Sequence, residues 1–151
     1  MTYGIYFDSR TPAEALRAAL HAVYNVPLDL VYAGPYEALN DHAGPDPVAL
    51  ITPVDGPFGN EFSAGDKLHE LTRTGELDLA QAICRVAHTR ALLDDGSQAP
   101  DYWILVAADG SYGRVQTDPD SDELTILYAL EPIAGEPDLP VEPPPDWART
   151  W

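Results

Sequence analysis

The sequence predicts an α+β domain in which two or three helices pack on one face of a mostly antiparallel sheet. Three observations lead to this class. The elements follow the order βα–ββ–αα–βββ, the helices do not alternate with every strand, and the last β region reads as a three-stranded meander. A length of 151 residues with 45% hydrophobic content suits a single domain with its own core.

The N-terminal segment predicts a strand followed by an amphipathic helix. YGIYF, at Tyr3–Phe7, is rich in the aromatic and β-branched residues that strands favour. Downstream, Thr11 is a candidate N-cap, Pro12 suits the first helical position, and Glu14 completes a capping box with Thr11. Apolar residues then recur at helical spacing, and we expect Pro27 to end the helix.

Two more strands are predicted before the middle of the chain. LDLVYA at 28–33 and PVALITPV at 47–54 are apolar runs separated by a loop rich in Gly, Pro, Asn and Asp. The next stretch, DGPFGNEFSAG at 55–65, reads as another loop because glycine and polar residues dominate it.

Two helices should follow. A short one is expected around 66–74, where two leucines lie at helical spacing. Asp78 then reads as the N-cap of a longer helix, with Gln81 in the matching capping-box position. The apolar stripe of this helix is expected to reach Leu93, before the DDG at 94–96 stops it.

The clearest β region lies between residues 102 and 130. Asp109-Gly110, between two strand-like runs, is a strong hairpin signal. A second turn at Asp118–Asp122 leads into a third strand at 123–130. The pattern predicts a three-stranded antiparallel meander.

The C-terminal end differs in composition from the rest of the chain. We therefore divide the sequence into an acidic α+β domain, 1–133, and a Pro-rich tail, 134–151, which is expected to run extended over the domain surface. Trp147 and Trp151 are possible anchors of this tail. They could cover the protein's own core or, as the alternative, contact a partner.

The charge restricts the classes of partner. Eight basic residues face 25 acidic ones, a net charge of −17, and after residue 90 there are thirteen acids against two arginines. Such a field repels nucleic acids and anionic membranes and attracts cationic proteins. A competing explanation is general solubility, because one lysine beside seven arginines and twenty alanines suits a GC-rich coding background.

The stretch TDPDSDEL, Thr117–Leu124, tests whether the acids bind calcium. Carboxylates fit the first three ligand positions of an EF-hand loop, but Glu123 replaces the required glycine and Ala129 the bidentate glutamate. The EF-hand is therefore rejected, and a weaker calcium site of another geometry is kept as the lesser alternative. No metal and no other cofactor is expected. The turn is either a solvated hairpin loop or a contact for a cationic partner, and the candidate contact residues are Asp94, Asp95, Asp101, Asp118, Asp120, Asp122 and Glu123.

No motif identifies a reaction. Cys84 and His88 lie four residues apart and are expected on an accessible helix face, where they could serve as nucleophile and base. An oxyanion donor is missing from the pattern, and an acidic field disfavours a thiolate. The glycines of GNEFSAGDK, 59–67, have the wrong spacing for a phosphate loop. An ordinary helix surface is the simpler interpretation of the Cys–His pair.

These observations favour a non-enzymatic binding protein that docks on a basic protein and inhibits or regulates it, as an immunity-like or antitoxin-like inhibitor does with a toxin. Two alternatives stay open: a small enzyme, such as a hydrolase, with a site assembled from distant residues, and a regulatory or structural module of a complex. A single cysteine and an N-terminus unlike a signal peptide predict a cytoplasmic protein. The oligomeric state and the partner's identity are not predicted.

Overall fold

A computed structural model describes residues 2–97 and 101–143. Within these ranges the chain forms eight strands, three α-helices and two short 3-10 helices, which confirms the predicted α+β class. The strands are β1 (Tyr3–Phe7), β2 (Val31–Ala33), β3 (Ala49–Pro53), β4 (Asn60–Ala64), β5 (Ala91–Asp94), β6 (Tyr102–Val106), β7 (Tyr112–Thr117) and β8 (Ile126–Ala129). The α-helices are α1 (Ala13–Tyr24), α2 (Asp66–Thr72) and α3 (Glu76–Ala87), and the 3-10 helices are Leu28–Leu30 and Tyr36–Asp41.

The strands form one sheet in the order β2-β3-β4-β1-β5-β6-β7-β8. The neighbours β2 and β3 are parallel, and the other adjacent pairs run antiparallel. The last three strands are the predicted meander, in which the Asp109-Gly110 turn joins β6 to β7 and Gly110 has a φ of +86°. A left-handed backbone there is the reason glycine suits this hairpin.

Alternation along the strands divides the core between the two faces of the sheet. On the helical face, Ile5, Phe7 and Leu93 pack with the apolar sides of the helices. On the other, which we name the loop face, Leu92 and Leu105 pack with residues from loops and from the C-terminal segment. Both cores are fully enclosed, because these five side chains expose 1% of their surface or less.

The stretch predicted as a loop at 55–65 contains β4, which is a correction. This strand lies inside the sheet, paired with β1 on one side and β3 on the other. Its sequence, NEFSA, directs one large apolar side chain, Phe62, into the helical-face core. Backbone pairing on both edges therefore overrides a weak local β propensity.

The helix boundaries also correct the prediction. Pro12 occupies the N-cap of α1, and the hydroxyl of Thr11 instead bonds that of Thr89 at 2.7 Å. Asn25, in the left-handed region, ends the helix before Pro27. Asn tolerates this conformation because its short polar side chain can hydrogen-bond locally.

The second long helix, α3, is shifted relative to the prediction. Gly75 takes the N-cap position expected for Asp78, and Gln81 donates to the carbonyl of Gly110 at 2.8 Å. His88 ends the helix in the left-handed region. Leu93 therefore belongs to β5, whose residues 91–93 are buried on both faces. A short, fully buried strand has no polar alternation, so it resembles the continuation of a helix.

The described part of the Pro-rich tail lies along β8. Val141 forms a parallel bridge with Ala129, whose backbone bonds Pro140 and Glu142 on either side. Leu139 packs against the loop-face core. Trp147 and Trp151 lie outside the described residues.

Candidate functional site

The acidic turn at 118–123 is held by local hydrogen bonds. A carboxylate oxygen of Asp118 accepts a hydrogen bond of 2.9 Å from the backbone amide of Asp120. The hydroxyl of Ser121 accepts one of 3.1 Å from the backbone amide of Glu123. These contacts form a hairpin loop of the kind expected from its Asp and Ser residues.

The end of this turn packs against the loop at 54–58. A Cβ on Gly56 would lie 2.8 Å from the Cβ of Glu123, and Gly56 itself has a φ of +105°. Only a residue without a side chain fits here, since the space is filled and the backbone is left-handed. The contact brings the acids of the turn to the loop face of the sheet.

A pocket of about 450 Å³ opens between this turn, the 54–58 loop and the strands. We name it the aromatic pocket, and it is lined by Tyr6, Val54, Asp55, Phe58, Glu61, Trp103, Asp122, Glu123 and Leu124. The register of the sheet explains why the lining residues on the strands lie next to one another. Tyr6 on β1 pairs with Glu61 on β4, and the Tyr6 and Trp103 rings meet edge to face with centroids 6.0 Å apart. Directly paired residues of antiparallel strands point to the same face.

The charged side chains that line the aromatic pocket are all negative. They are the four carboxylates of Asp55, Glu61, Asp122 and Glu123. The hydroxyl of Tyr6 lies 3.5 Å from a Glu61 oxygen. Burial, and then the Glu61 charge, raise the pKa of Tyr6, so this hydroxyl keeps its proton. The pocket thus combines aromatic surface with negative charge.

The other predicted contact residues are spread around the fold. Asp94 is exposed and pairs across strands with Trp103, at the edge of the same loop face. Asp95 instead has a side chain only 2% exposed, with one oxygen 3.5 Å from Nε of Arg114. Asp101 lies where β6 begins, and its carbonyl accepts bonds from Thr117. The structure therefore brings Asp94, Asp122 and Glu123 to one face and leaves Asp95 paired internally.

Sequence reasoning missed the aromatic residues and two of the acids in this pocket. Alternation in YGIYF already separates Tyr6 from Ile5 and Phe7, so its opposite orientation could have been predicted. Glu61 required β4 to be identified as a strand, and the approach of Asp55 depends on a tertiary contact between two loops.

Cys84 and His88 do not form the accessible pair that the helical spacing predicted. Cys84 is fully buried in the helical-face core, with Sγ directed at the carbonyl of Val106 at 4.0 Å. Burial raises the pKa of its thiol to about 12, well above that of a reactive cysteine. His88 lies beyond the last turn of α3 and is exposed. The prediction was wrong because the side of α3 that packs against the sheet is wider than the apolar spacing suggests: it includes Cys84 as well as Leu79 and Ile83.

A second cavity, of about 500 Å³, lies beside an ion-pair network at the N-terminal end of α1. Asp8, a buried residue, accepts bonds from Arg10 at 2.8 Å and Arg90 at 3.3 Å, and Arg90 also bonds Glu136 at 2.8 Å. Burial alone would raise the pKa of Asp8, but the two guanidinium groups outweigh it and lower that pKa. Asp8 is therefore held as a carboxylate.

This network also supports the aromatic pocket. The Arg90 guanidinium lies over the Phe58 ring, 5.2 Å from the ring centroid. Phe58 itself is buried, with 2% of its surface exposed. Arg90 thereby connects the 54–58 loop to Asp8 and the sheet.

Across 2–97 and 101–143, no three His, Cys, Asp or Glu side chains are grouped so that they could hold a metal ion. In the same ranges, no helix has both the length and the apolar character needed to cross a bilayer.

Comparisons of the chain with protein-family models, with curated proteins and with solved structures found no match.

Proposed function

We propose that this chain is a non-enzymatic binding protein that docks a basic protein partner on its loop face and thereby inhibits or regulates it. The observation that carries the proposal is the aromatic pocket, where acids from three separate elements surround the Tyr6 and Trp103 rings. Aromatic anchors within a charged rim are typical of protein interfaces.

The charge of the whole chain supports the same proposal. A net charge of −17 accelerates the approach of a cationic partner, and the effect weakens as salt shortens the Debye length to about 8 Å at physiological strength. Carboxylates at the rim mainly change the association rate, whereas a buried aromatic contact mainly changes dissociation. In the proposed complex the carboxylates would thus speed association, and the aromatic rings would slow dissociation.

The test compares association rates of two charge variants with a basic partner isolated from the source cell. In the first variant Asp118, Asp120, Asp122 and Glu123 become their amides. We expect association to slow about tenfold or more at low salt, with the difference shrinking as salt rises.

The matched control removes the same number of charges elsewhere, at the exposed residues Asp29, Asp41, Asp46 and Glu70. If the two variants slow association equally, the effect is one of net charge, and the proposed docking face is wrong. If neither variant slows association, the acids do not steer the partner, and this part of the proposal is wrong too.

A second candidate, a small hydrolase, is favoured by one observation. The cavity beside Asp8 is lined by residues from two distant parts of the chain, 8–15 and 87–90, with the exposed His88 among them. Against it, Asp8 is ion-paired, and its lowered pKa makes it a weak general base. Hydrolysis of a model ester that is lost in His88→Ala would favour this candidate over the binding protein.

A further inference from the structure

We infer that the aromatic pocket receives an arginine side chain of the partner, with an apolar residue of the partner beside it. This inference rests on the proposed function and names the group that the site would recognise. The first support is chemical. A guanidinium is planar, weakly hydrated and rich in N–H donors, so it can stack on an aromatic ring while it bonds carboxylates.

The chain itself uses this arrangement for two of its own arginines. Arg90 lies over Phe58 and bonds the carboxylates of Asp8 and Glu136. Arg114 lies over the Tyr102 ring, 5.3 Å from the centroid, and 3.5 Å from an oxygen of Asp95.

The aromatic pocket presents the same two components to solvent. Tyr6 and Trp103 supply the rings and Glu61 a carboxylate within reach of Tyr6, while the charged groups of the lining are all acidic. A cation from outside the chain would give this pocket the combination of cation, aromatic ring and carboxylate that is already found at Arg90 and Arg114.

The size of the pocket separates an arginine from an inorganic cation. A volume of about 450 Å³ far exceeds one ion. Calcium also needs roughly six to eight oxygen ligands at close range, and among the residues that the structure describes no three His, Cys, Asp or Glu side chains are grouped so that they could hold a metal ion. Lysine carries a compact, strongly hydrated charge and gains less from the rings.

A neighbouring cavity indicates that the arginine belongs to a polypeptide. This cavity, of about 320 Å³, shares Val54 and Glu61 with the aromatic pocket and continues across β3 and β4. Its lining includes Leu50 and Tyr36, and Tyr36 is 67% exposed. Free arginine would leave this surface uncovered, whereas a residue next to the arginine could place an apolar side chain on it.

The experiment uses the full chain and the capped tripeptide Leu-Arg-Gly, followed through the indole N–H signal of Trp103 in a nitrogen-15 correlation spectrum. The signal is assigned by its loss in Trp103→Phe. We expect saturable shifts, at least about tenfold weaker affinity when citrulline replaces arginine, and weaker affinity with lysine.

Two variants locate the contact without disturbing the core. Glu61→Gln should weaken arginine-peptide binding about fivefold or more, whereas Glu70→Gln, on the exposed side of α2, should leave it unchanged. Equal affinity for the arginine and citrulline peptides would overturn the inference, and so would equal effects of the two variants.

The outcomes for this inference and for the proposed function are separable. If the basic partner binds with acid-dependent association but the peptide leaves Trp103 unshifted, the arginine assignment fails and the docking function stands. If the peptide binds as expected but the partner's association ignores the acids of the turn, the arginine site stands and the docking function fails.

Discussion

At the scale of single residues, tertiary contacts decide the role of each charge. Asp8 and Asp122 have the same side chain, yet Asp8 is buried between two arginines and Asp122 lies at the rim of a pocket. A buried carboxylate needs partners to offset its lost hydration, whereas a solvated one does not. Counting acids along the sequence therefore cannot separate buried, ion-paired carboxylates from solvated ones.

Asp8 should make stability depend on pH. Its folded pKa is lowered by Arg10 and Arg90, so its contribution is complete above the ordinary aspartate pKa of about 3.9 and is lost as pH falls through the folded pKa. We expect Asp8→Asn to lower the free energy of unfolding by about 1–3 kcal/mol at pH 7, and by less under acidic conditions. Urea unfolding across this pH range measures the difference.

The control is Glu14→Gln, which removes the same charge. The carboxylate of Glu14 lies 2.6 Å from the Arg17 guanidinium, but the Glu14 side chain is 66% exposed. Exposed pairs contribute about 0.5 kcal/mol or less. If Asp8→Asn costs no more than Glu14→Gln, the network around Asp8 does not stabilise the fold.

At the scale of elements, β4 shows how far local sequence can mislead. Glycines flank it, and Asn60, Glu61 and Ser63 are residues that sheets use sparingly or only at exposed positions. It nevertheless lies between β1 and β3, and it supplies both Phe62 to the core and Glu61 to the pocket. The position of β4 beside β1 therefore places Glu61 next to Tyr6 in the aromatic pocket.

The buried role of β4 predicts a large effect of one substitution. Phe62 is 1% exposed and meets Phe7 edge to face at 6.1 Å. We expect Phe62→Ala to lower the free energy of unfolding by about 3–5 kcal/mol. In Leu71→Ala, on α2, the removed side chain is 46% exposed, so this variant should cost much less. Similar urea midpoints for the two variants would contradict the placement of β4.

At the scale of the whole molecule, the question is whether the acidity serves a metal or a partner. The acids are distributed over loops, strands and a turn, and within the described ranges they form no metal-binding group. The net charge of −17 produces a long-range electrostatic field, which acts on association and on solubility.

Calcium should therefore leave the melting temperature unchanged. A ligand of the native state present at about 100 times its dissociation constant would add about 2.7 kcal/mol of stability. The measurement compares calcium with sodium chloride at equal ionic strength, because screening alone reduces repulsion among the acids. A rise in melting temperature specific to calcium would reopen the turn at 118–123 as a cation site.

The α+β class, the first strand, the existence of the helices and the meander could be predicted from sequence, because each depends on a periodicity or turn signal encoded within a few residues. Residues 3–7 and the Asp109-Gly110 turn are of this kind. Local patterns also placed acids in the turn at 118–123.

Only the tertiary structure decided where β4 lies, which side of α3 is covered, and that Tyr6, Glu61 and Trp103 meet beside the acidic turn. These features depend on strand order and on contacts between residues far apart in the chain, such as Gly56 with Glu123. The free energy of such contacts comes from packing and pairing across the sheet, which no local pattern encodes.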